Sequence, residues 1–309
     1  MRVLIALDAT PQCTEIVREA ASRPWPVGSR FLLLHVLDPF AYSRMPISLE
    51  RAKEASLTQI ESAADGLRKA GWKTKTDVVL GRARQVIPKS AVAWKADLVL
   101  VGSHGGGALL RVLLGSTARS VLRHAPCSVE IVRPLPEGGG RNRLPKMKIL
   151  IATDGSEFSA AAIRSVASRP WPRGSMFKVI SIPEPFMPLD EFRHLELKEV
   201  EKLNAAALKD AKRYAETGAE ILAKAGLEAG AGTLLPRDSD SREIAKVAER
   251  WRANLVILGS HGRRGFDRWT IGSVSEHVAL HAHCSVEIVR RPSGRPLKDS
   301  WRRPWRREL

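Results

Sequence analysis

Met1-Arg2-Val3-Leu4-Ile5-Ala6-Leu7-Asp8-Ala9-Thr10 has a second version in the same chain, Met147-Lys148-Ile149-Leu150-Ile151-Ala152-Thr153-Asp154-Gly155-Ser156. Each is a short apolar run that stops on an aspartate, a small residue and a hydroxyl. An unbroken apolar run, in place of strict alternation, suits a strand covered on both faces, as in a parallel sheet flanked by helices. Further matches lie outward from these two. Ser22-Arg23-Pro24-Trp25-Pro26 returns unchanged as Ser168-Arg169-Pro170-Trp171-Pro172, and Trp94 to Gly105 returns in kind as Trp251 to Gly262. Cys127-Ser128-Val129-Glu130-Ile131-Val132-Arg133 returns unchanged as Cys284-Ser285-Val286-Glu287-Ile288-Val289-Arg290. A period this long does not make a solenoid; each copy is a domain.

The domains therefore run over 1–133 and 147–290, with a linker at 134–146 containing Gly138-Gly139-Gly140 and a basic tail at 291–309. In the first copy, strands are expected at 2–7, 30–37, 74–80, 97–101 and 128–132, with helices near 11–22, 48–70, 84–95 and 115–124. The second copy has strands near 148–153, 176–182, 228–234, 254–258 and 285–289. Its middle helix, near 191–225, is rich in Ala, Leu, Glu and Lys and takes up an insertion that the first copy lacks. Alternating strand and helix gives an α/β fold class: two doubly wound, five-stranded parallel sheets in tandem. The last strand of each copy is different, because Ser-Val-Glu-Ile-Val alternates. Either one face is wet, or the strand edge pairs with the other copy, and pairing is the expectation adopted here.

Composition narrows the possibilities. Of 309 residues, 44% are hydrophobic, which excludes a disordered chain. No apolar run approaches the roughly 18–20 residues that span a bilayer. The N-terminal segment reaches Asp8 too early for a signal-peptide core and reads as a strand. Cys13, Cys127 and Cys284 form neither a disulfide framework nor a metal-binding pair, so a reducing cytoplasm is the expected location. The net charge is +17, and part of the excess lies in the linker and tail. Such a run is either solvated and unstructured or weakly attractive to nucleic acid or an anionic membrane, with Trp301 and Trp305 available for stacking.

Ligands of an open parallel sheet bind beyond the carboxyl ends of its strands. Two segments arrive there in each copy. After the fourth strand come Gly102-Ser103-His104-Gly105, a nine-residue interval, and Gly115-Ser116-Thr117; the second copy has Gly259-Ser260-His261-Gly262 and then Gly272-Ser273-Val274. Glycines let backbone amides approach an anion, and a helix opening at Gly-Ser adds unpaired N–H groups and a favourable dipole. From the first strand arrive Asp8 and Asp154, able to accept ribose hydroxyls or help hold a divalent ion on a triphosphate. Taken singly, each feature also reads as a tight turn or a helix cap.

The spacing Gly-x2-Gly-x9-Gly-Ser, with an aspartate closing the first strand, resembles the nucleotide-binding signature of the universal stress protein family. The resemblance covers both copies and implies strand order 3-2-1-4-5, ATP as cofactor with or without Mg or Mn, and dimerisation through the last strand. With two copies in one chain, that dimer becomes an intramolecular pair, open to further homodimerisation. The resemblance also implies that Asp8 and Asp154 contact ribose and that Val36 and Ile182 lie against adenine. Phosphates fall to Gly102, Gly105, Gly115, Ser116 and Thr117 in the first copy, and to Gly259, Gly262, Gly272, Ser273 and Val274 in the second. The first copy departs from the family pattern at Ala9-Thr10-Pro11, whereas the second keeps Asp154-Gly155-Ser156.

Arg82, Arg84 and Arg237 either reach phosphates or face water. His104 and His261 are expected to make hydrogen bonds within their loops, Cys127 and Cys284 to be core residues, and Trp25 and Trp171 to anchor a loop against the sheet edge. There is no GxxxxGK[ST] loop and no GxSxG elbow. The expected function is therefore nucleotide-dependent signalling in a stress response without efficient hydrolysis. A slow ATP hydrolase and a nucleic-acid or membrane adaptor acting through the tail are the alternatives.

Overall fold

β1 (Arg2–Leu7) is buried from its second residue to its last, and its two faces enter different cores. Val3, Ile5 and Leu7 join a cluster with Ile16, Val17, Ile60 and Leu67, whereas Leu4 and Ala6 join one with Ile87, Val121 and Leu122. Burial on both faces is what the unbroken apolar run requires. The computed structural model describes residues 1–8, 13–42, 48–103, 114–133, 146–184, 197–236, 238–263 and 271–290. The tail, most of the linker, Thr10, Pro11, His104, Gly105 and Arg237 lie outside the described residues.

After β1 come α1 (Cys13–Ser22), β2 (Arg30–Leu37), a short α2 (Pro39–Tyr42) that the sequence does not announce, and α3 (Leu49–Lys69). β3 (Lys73–Leu80), α4 (Ala83–Trp94), β4 (Leu98–Gly102), α5 (Ser116–His124) and β5 (Ser128–Val132) complete the first half. The second half repeats the scheme with β6 (Lys148–Ala152), α6 (Glu157–Ala167), β7 (Met176–Ser181), α7 (Leu197–Lys224) and β8 (Glu228–Thr233). It ends with α8 (Asp240–Trp251), β9 (Leu255–Gly259), α9 (Ser273–His281) and β10 (Ser285–Val289). α4 survives Pro88 in its interior. Proline has no N–H to offer the carbonyl four residues back, and the Ser120 hydroxyl donates to that carbonyl, Arg84 O, at 3.4 Å.

Each half shows the expected order 3-2-1-4-5, and the halves share one ten-stranded sheet, β3-β2-β1-β4-β5-β10-β9-β6-β7-β8. Its pairs are parallel except β5 with β10, which run antiparallel with Ile131 opposite Val286, Glu130 opposite Glu287 and Val129 opposite Ile288. One hydrophobic cluster crosses this seam. It takes Val121, Val129 and Ile131 from the first half and Val278, Val286 and Ile288 from the second. The opposite face of the sheet keeps a separate cluster in each half.

The alternating glutamates are not wet. Glu130 and Glu287 are 0% and 1% exposed, facing each other across the seam. Arg23 donates to both oxygens of Glu130 at 2.8 and 2.7 Å and also meets Glu19. Arg169 donates to Glu287 at 2.9 Å. Both arginines come from the repeated Ser-Arg-Pro-Trp-Pro segment. Its tryptophans donate to the end of the preceding helix, Trp25 to Ala20 O and Trp171 to Val166 O, and pack edge-on against Phe31 and Phe177. These phenylalanines stand on β2 and β7, one strand in from the edge, so the expected anchoring at the edge itself is corrected. A bulky indole finds more partner atoms over an inner strand.

The same seam ties helix ends across the halves. Arg133 donates to Cys284 O at 3.1 Å and Ala279 O at 2.6 Å, and Arg290 donates to Leu122 O at 2.8 Å and Arg123 O at 3.0 Å. Each guanidinium therefore satisfies carbonyls that end a helix of the other half. Cys127 and Cys284 pack at this junction as expected of core residues, and burial pushes both thiols up to about 12.

Three carboxylates meet two guanidiniums in the seam. Burial, the largest cause, holds the carboxyls of Glu19 and Glu287 above the ordinary carboxylate range. A carboxyl with a raised native pKa stabilises the fold most when protonated, and that stability is lost as pH rises through the raised value. A Glu19→Gln variant should therefore gain thermal stability over the unmodified protein between about pH 5 and about pH 8, with the gap widening as pH rises. Melting curves across that range check this; a gap independent of pH contradicts it.

Candidate functional site

The end of β6 shows how the repeated segment builds a site. Ser156 caps α6, its hydroxyl oxygen accepting Ser159 N–H at 3.2 Å. Asp154 is therefore released from capping. Its Oδ1 accepts Ser156 N–H at 3.0 Å, and its Oδ2 accepts Arg263 N–H at 3.0 Å. The aspartate thus clips the loop that follows β9 to the end of β6. Gly155 takes φ +76°, and a Cβ there would lie 2.6 Å from the Tyr214 ring of α7, so the Asp-Gly-Ser turn tolerates no larger residue.

Behind the aspartate, the first turn of α6 rests directly on β9. A Cβ at Gly259 would meet the Phe158 carbonyl carbon at 2.5 Å and Ser159 N at 2.7 Å. At Gly262 a Cβ would stand 3.0 Å from Asp154 Oδ2. The two ends of the loop are then drawn together: Ser260 N–H donates to Val289 O at 3.0 Å and Gly272 N–H to Ser260 O at 2.8 Å. Ser275 adds a buried hydrogen bond to Gly259 O at 2.7 Å. The first half repeats this frame, with Ser103 N–H to Val132 O at 3.1 Å and Gly115 N–H to Ser103 O at 2.8 Å.

The frame sets α5 and α9 with extended N-cap glycines, Gly115 (ψ 153°) and Gly272 (ψ 146°), neither of which supplies a side-chain cap. The first-turn N–H groups, those of Ser116 and Thr117 and of Ser273 and Val274, point out of the helix ends where an anion is favoured. Ser116 and Ser273 are exposed. An open cavity of about 610 Å³ reaches Ser273, Val274 and His277 on one side and Ser239 to Arg242 on the other.

The other expected residues fall at the same end of the sheet. Val36 closes β2 and Ile182 follows β7; both are partly buried against the shared core. Asp8 is exposed just beyond β1. His261 is buried, with Nδ1 3.0 Å from Ser260 Oγ and its ring 4.9 Å from Phe158, as expected of a histidine bonded within its loop. Arg82 lies over the Phe40 ring at 5.8 Å and Arg84 is exposed, so of the two readings weighed for them the described contacts match the one that faces away from the loop.

Three residues of the second site carry no signal in the sequence. The Arg263 guanidinium donates to Glu184 Oε2 at 3.2 Å. Asp240, at the start of α8, is held above its ordinary range by burial first and then by the charges of Glu184 and Asp154, with Arg263 opposing. Three loops distant in sequence thus bring acids around one arginine, a convergence that no local spacing encodes. A Gly259→Ala substitution should lower stability by about 1–3 kcal/mol, because the methyl group meets backbone that cannot step aside. Gly262→Ala, which meets a carboxylate oxygen able to shift, should cost less. Chemical denaturation of both variants checks the order, and equal losses contradict it.

The family model for the universal stress protein family matches residues 1–133 and 146–290. A universal stress protein of Mycolicibacterium smegmatis is 29% identical over 306 residues, covering 93% of this chain and 96% of that protein. One from Thermus aquaticus is 30% identical over 134 residues, covering 42% of this chain and 97% of that protein. Among solved structures, a universal stress protein from Archaeoglobus fulgidus shares the fold at TM-score 0.62 and 16% identity, covering 95% of this chain and 97% of its own. A functionally unknown protein from Pseudomonas aeruginosa does so at TM-score 0.60 and 16% identity, over 94% and 92%. With both halves matched, and with a relative that spans nearly the whole chain, this protein belongs to the universal stress protein family.

Proposed function

We propose that this protein binds ATP or a related adenine nucleotide and acts as a nucleotide-dependent module of a stress response, with binding rather than turnover as its chemistry. The observation that carries this reading is the closed glycine frame, which leaves an uncapped helix N-terminus beside Asp154 in the second half. The donor set suits a polyphosphate. Backbone amides of Gly262, Gly272, Ser273 and Val274 offer N–H groups without desolvating a fixed charge, and the Ser273 hydroxyl adds one more donor. Gly259 holds the base of the loop. Asp154 is placed to exchange its bond with Arg263 N–H for a ribose hydroxyl, and Ile182 offers an apolar wall for adenine.

The acids near the loop argue for charge compensation. Asp154, Glu184 and Asp240 would repel a triphosphate unless Arg263 or a divalent ion such as Mg or Mn stood between them. Among the described residues no group of three metal-ligating side chains is preformed, so such an ion would depend on the phosphates for its remaining ligands. In the first half, Asp8, Val36, Gly102, Gly105, Gly115, Ser116 and Thr117 would serve the same roles. We assign it the weaker site because Ala9-Thr10-Pro11 replaces the Asp-Gly-Ser turn that shapes the second. No described helix is long and apolar enough to cross a membrane.

Thermal shift and titration calorimetry with ATP, ADP and AMP test the reading. At a ligand concentration 100 times Kd, binding should add about 2.7 kcal/mol to stability. Asp154→Ala should remove most of the heat, and Asp8→Ala a smaller part. If none of the three nucleotides changes melting or heat at millimolar concentration, the proposal is overturned. Phosphate release above that of the Asp8→Ala/Asp154→Ala double variant would favour the slow-hydrolase reading.

A further inference from the structure

α9 carries Glu276-His277-Val278-Ala279-Leu280-His281, with two histidines one helical turn apart. Their rings stack on the outer side of the helix with centroids 4.0 Å apart and planes inclined by 28°. His281 is exposed and His277 half-buried, so both are reachable from solvent. His281 Nδ1 lies 2.9 Å from His277 O. A carbonyl oxygen only accepts, so Nδ1 carries the proton and donates, and the lone pair of His281 is left on Nε2, facing outward. A ring held in this tautomer by a backbone carbonyl is in the form that ligates a metal.

The surroundings leave the pair available. The charged groups nearest His277 are Asp238 and Arg242, besides His281 itself. Asp238 is already engaged by Arg242 at 3.4 Å and Lys246 at 3.3 Å, and Glu276 by Arg123 at 2.6 Å. Burial, reinforced by the His281 and Arg242 charges, holds the His277 imidazole below its ordinary range. That favours the neutral form a metal needs.

The first half provides an internal comparison. His124 stands in α5 where His281 stands in α9, and its Nδ1 donates to Ser120 O at 2.8 Å in the same manner. Ser120 occupies the place of His277. One half therefore has two adjacent imidazoles and the other has one.

We propose that His277 and His281 form a two-histidine chelate on α9 for a borderline divalent metal ion, with water completing its coordination. Paired imidazoles at i and i+4 select transition ions over Mg or Ca, and affinity should rise from Zn²⁺ through Ni²⁺ to Cu²⁺. The site lies on the outer face of the helix whose first turn belongs to the proposed nucleotide site. It is independent of that site, because it uses side chains and not the first-turn amides.

Calorimetric titration of the untagged full-length chain with CuCl₂, NiCl₂ and ZnCl₂ tests the proposal. One equivalent of each ion is expected on these histidines, with affinity falling as the solution is acidified through the imidazole range. His277→Ala and His281→Ala should each weaken that binding at least tenfold, without altering thermal stability in the absence of metal. Ser120→His should recreate the pair in α5 and raise the stoichiometry from one to two. Unchanged binding in both alanine variants, or no second equivalent in Ser120→His, overturns the proposal.

Discussion

The Arg–Glu pairing in the middle of the sheet is the interaction on which the rest of the structure depends. Two strand edges can join antiparallel only if side chains that face each other tolerate contact, and here Glu130 faces Glu287 with almost no exposure. Like charges directly opposite across a strand pair destabilise it, and an unpaired buried carboxylate costs several kcal/mol. Arg23 and Arg169 remove both penalties, each brought from its own half by the same Ser-Arg-Pro-Trp-Pro turn. The tryptophan of that turn fixes the loop on a neighbouring strand, so the guanidinium is delivered by a rigid segment. With the seam neutralised, the opposite face of the sheet closes into one core drawn from both halves.

That seam also determines how the candidate sites are held. β4 and β9, which launch the glycine loops, each lie beside a seam strand, and the loops are pinned to it through Ser103 N–H on Val132 O and Ser260 N–H on Val289 O. The helices that open at Gly115 and Gly272 end near the same seam, where Arg290 and Arg133 of the opposite halves receive their last carbonyls. Both ends of each such helix are therefore referred to one junction. A ligand that ordered the first turn of α9 would act on an element tied to both halves.

Most of the fold was legible from residue order. Continuous apolar runs identified the inner strands, and identical segments in both copies gave the domain division and the pairing of the last strands. What escaped was set by distance. Arg23 and Glu130 stand 107 residues apart, and Arg169 and Glu287 stand 118 apart, so nothing local joins them. The available hint was that two charged residues recur unchanged in otherwise divergent copies. At the site, Asp154 and the glycines were legible through their spacing, whereas Glu184, Asp240 and Arg263 come from three loops that meet only after folding. Gly105 lies outside the described residues, and no contact of that glycine entered the comparison of the two loops.

The central claim is that the main-chain amides opening α9 grip a polyphosphate. Hydrogen–deuterium exchange of the intact chain, with and without saturating ATP, tests it most directly. The account predicts slowed exchange at the amides of Ser273, Val274 and Ser275, with little change in the outer strands β3 and β8. Exchange at those three amides unaltered by nucleotide would contradict it.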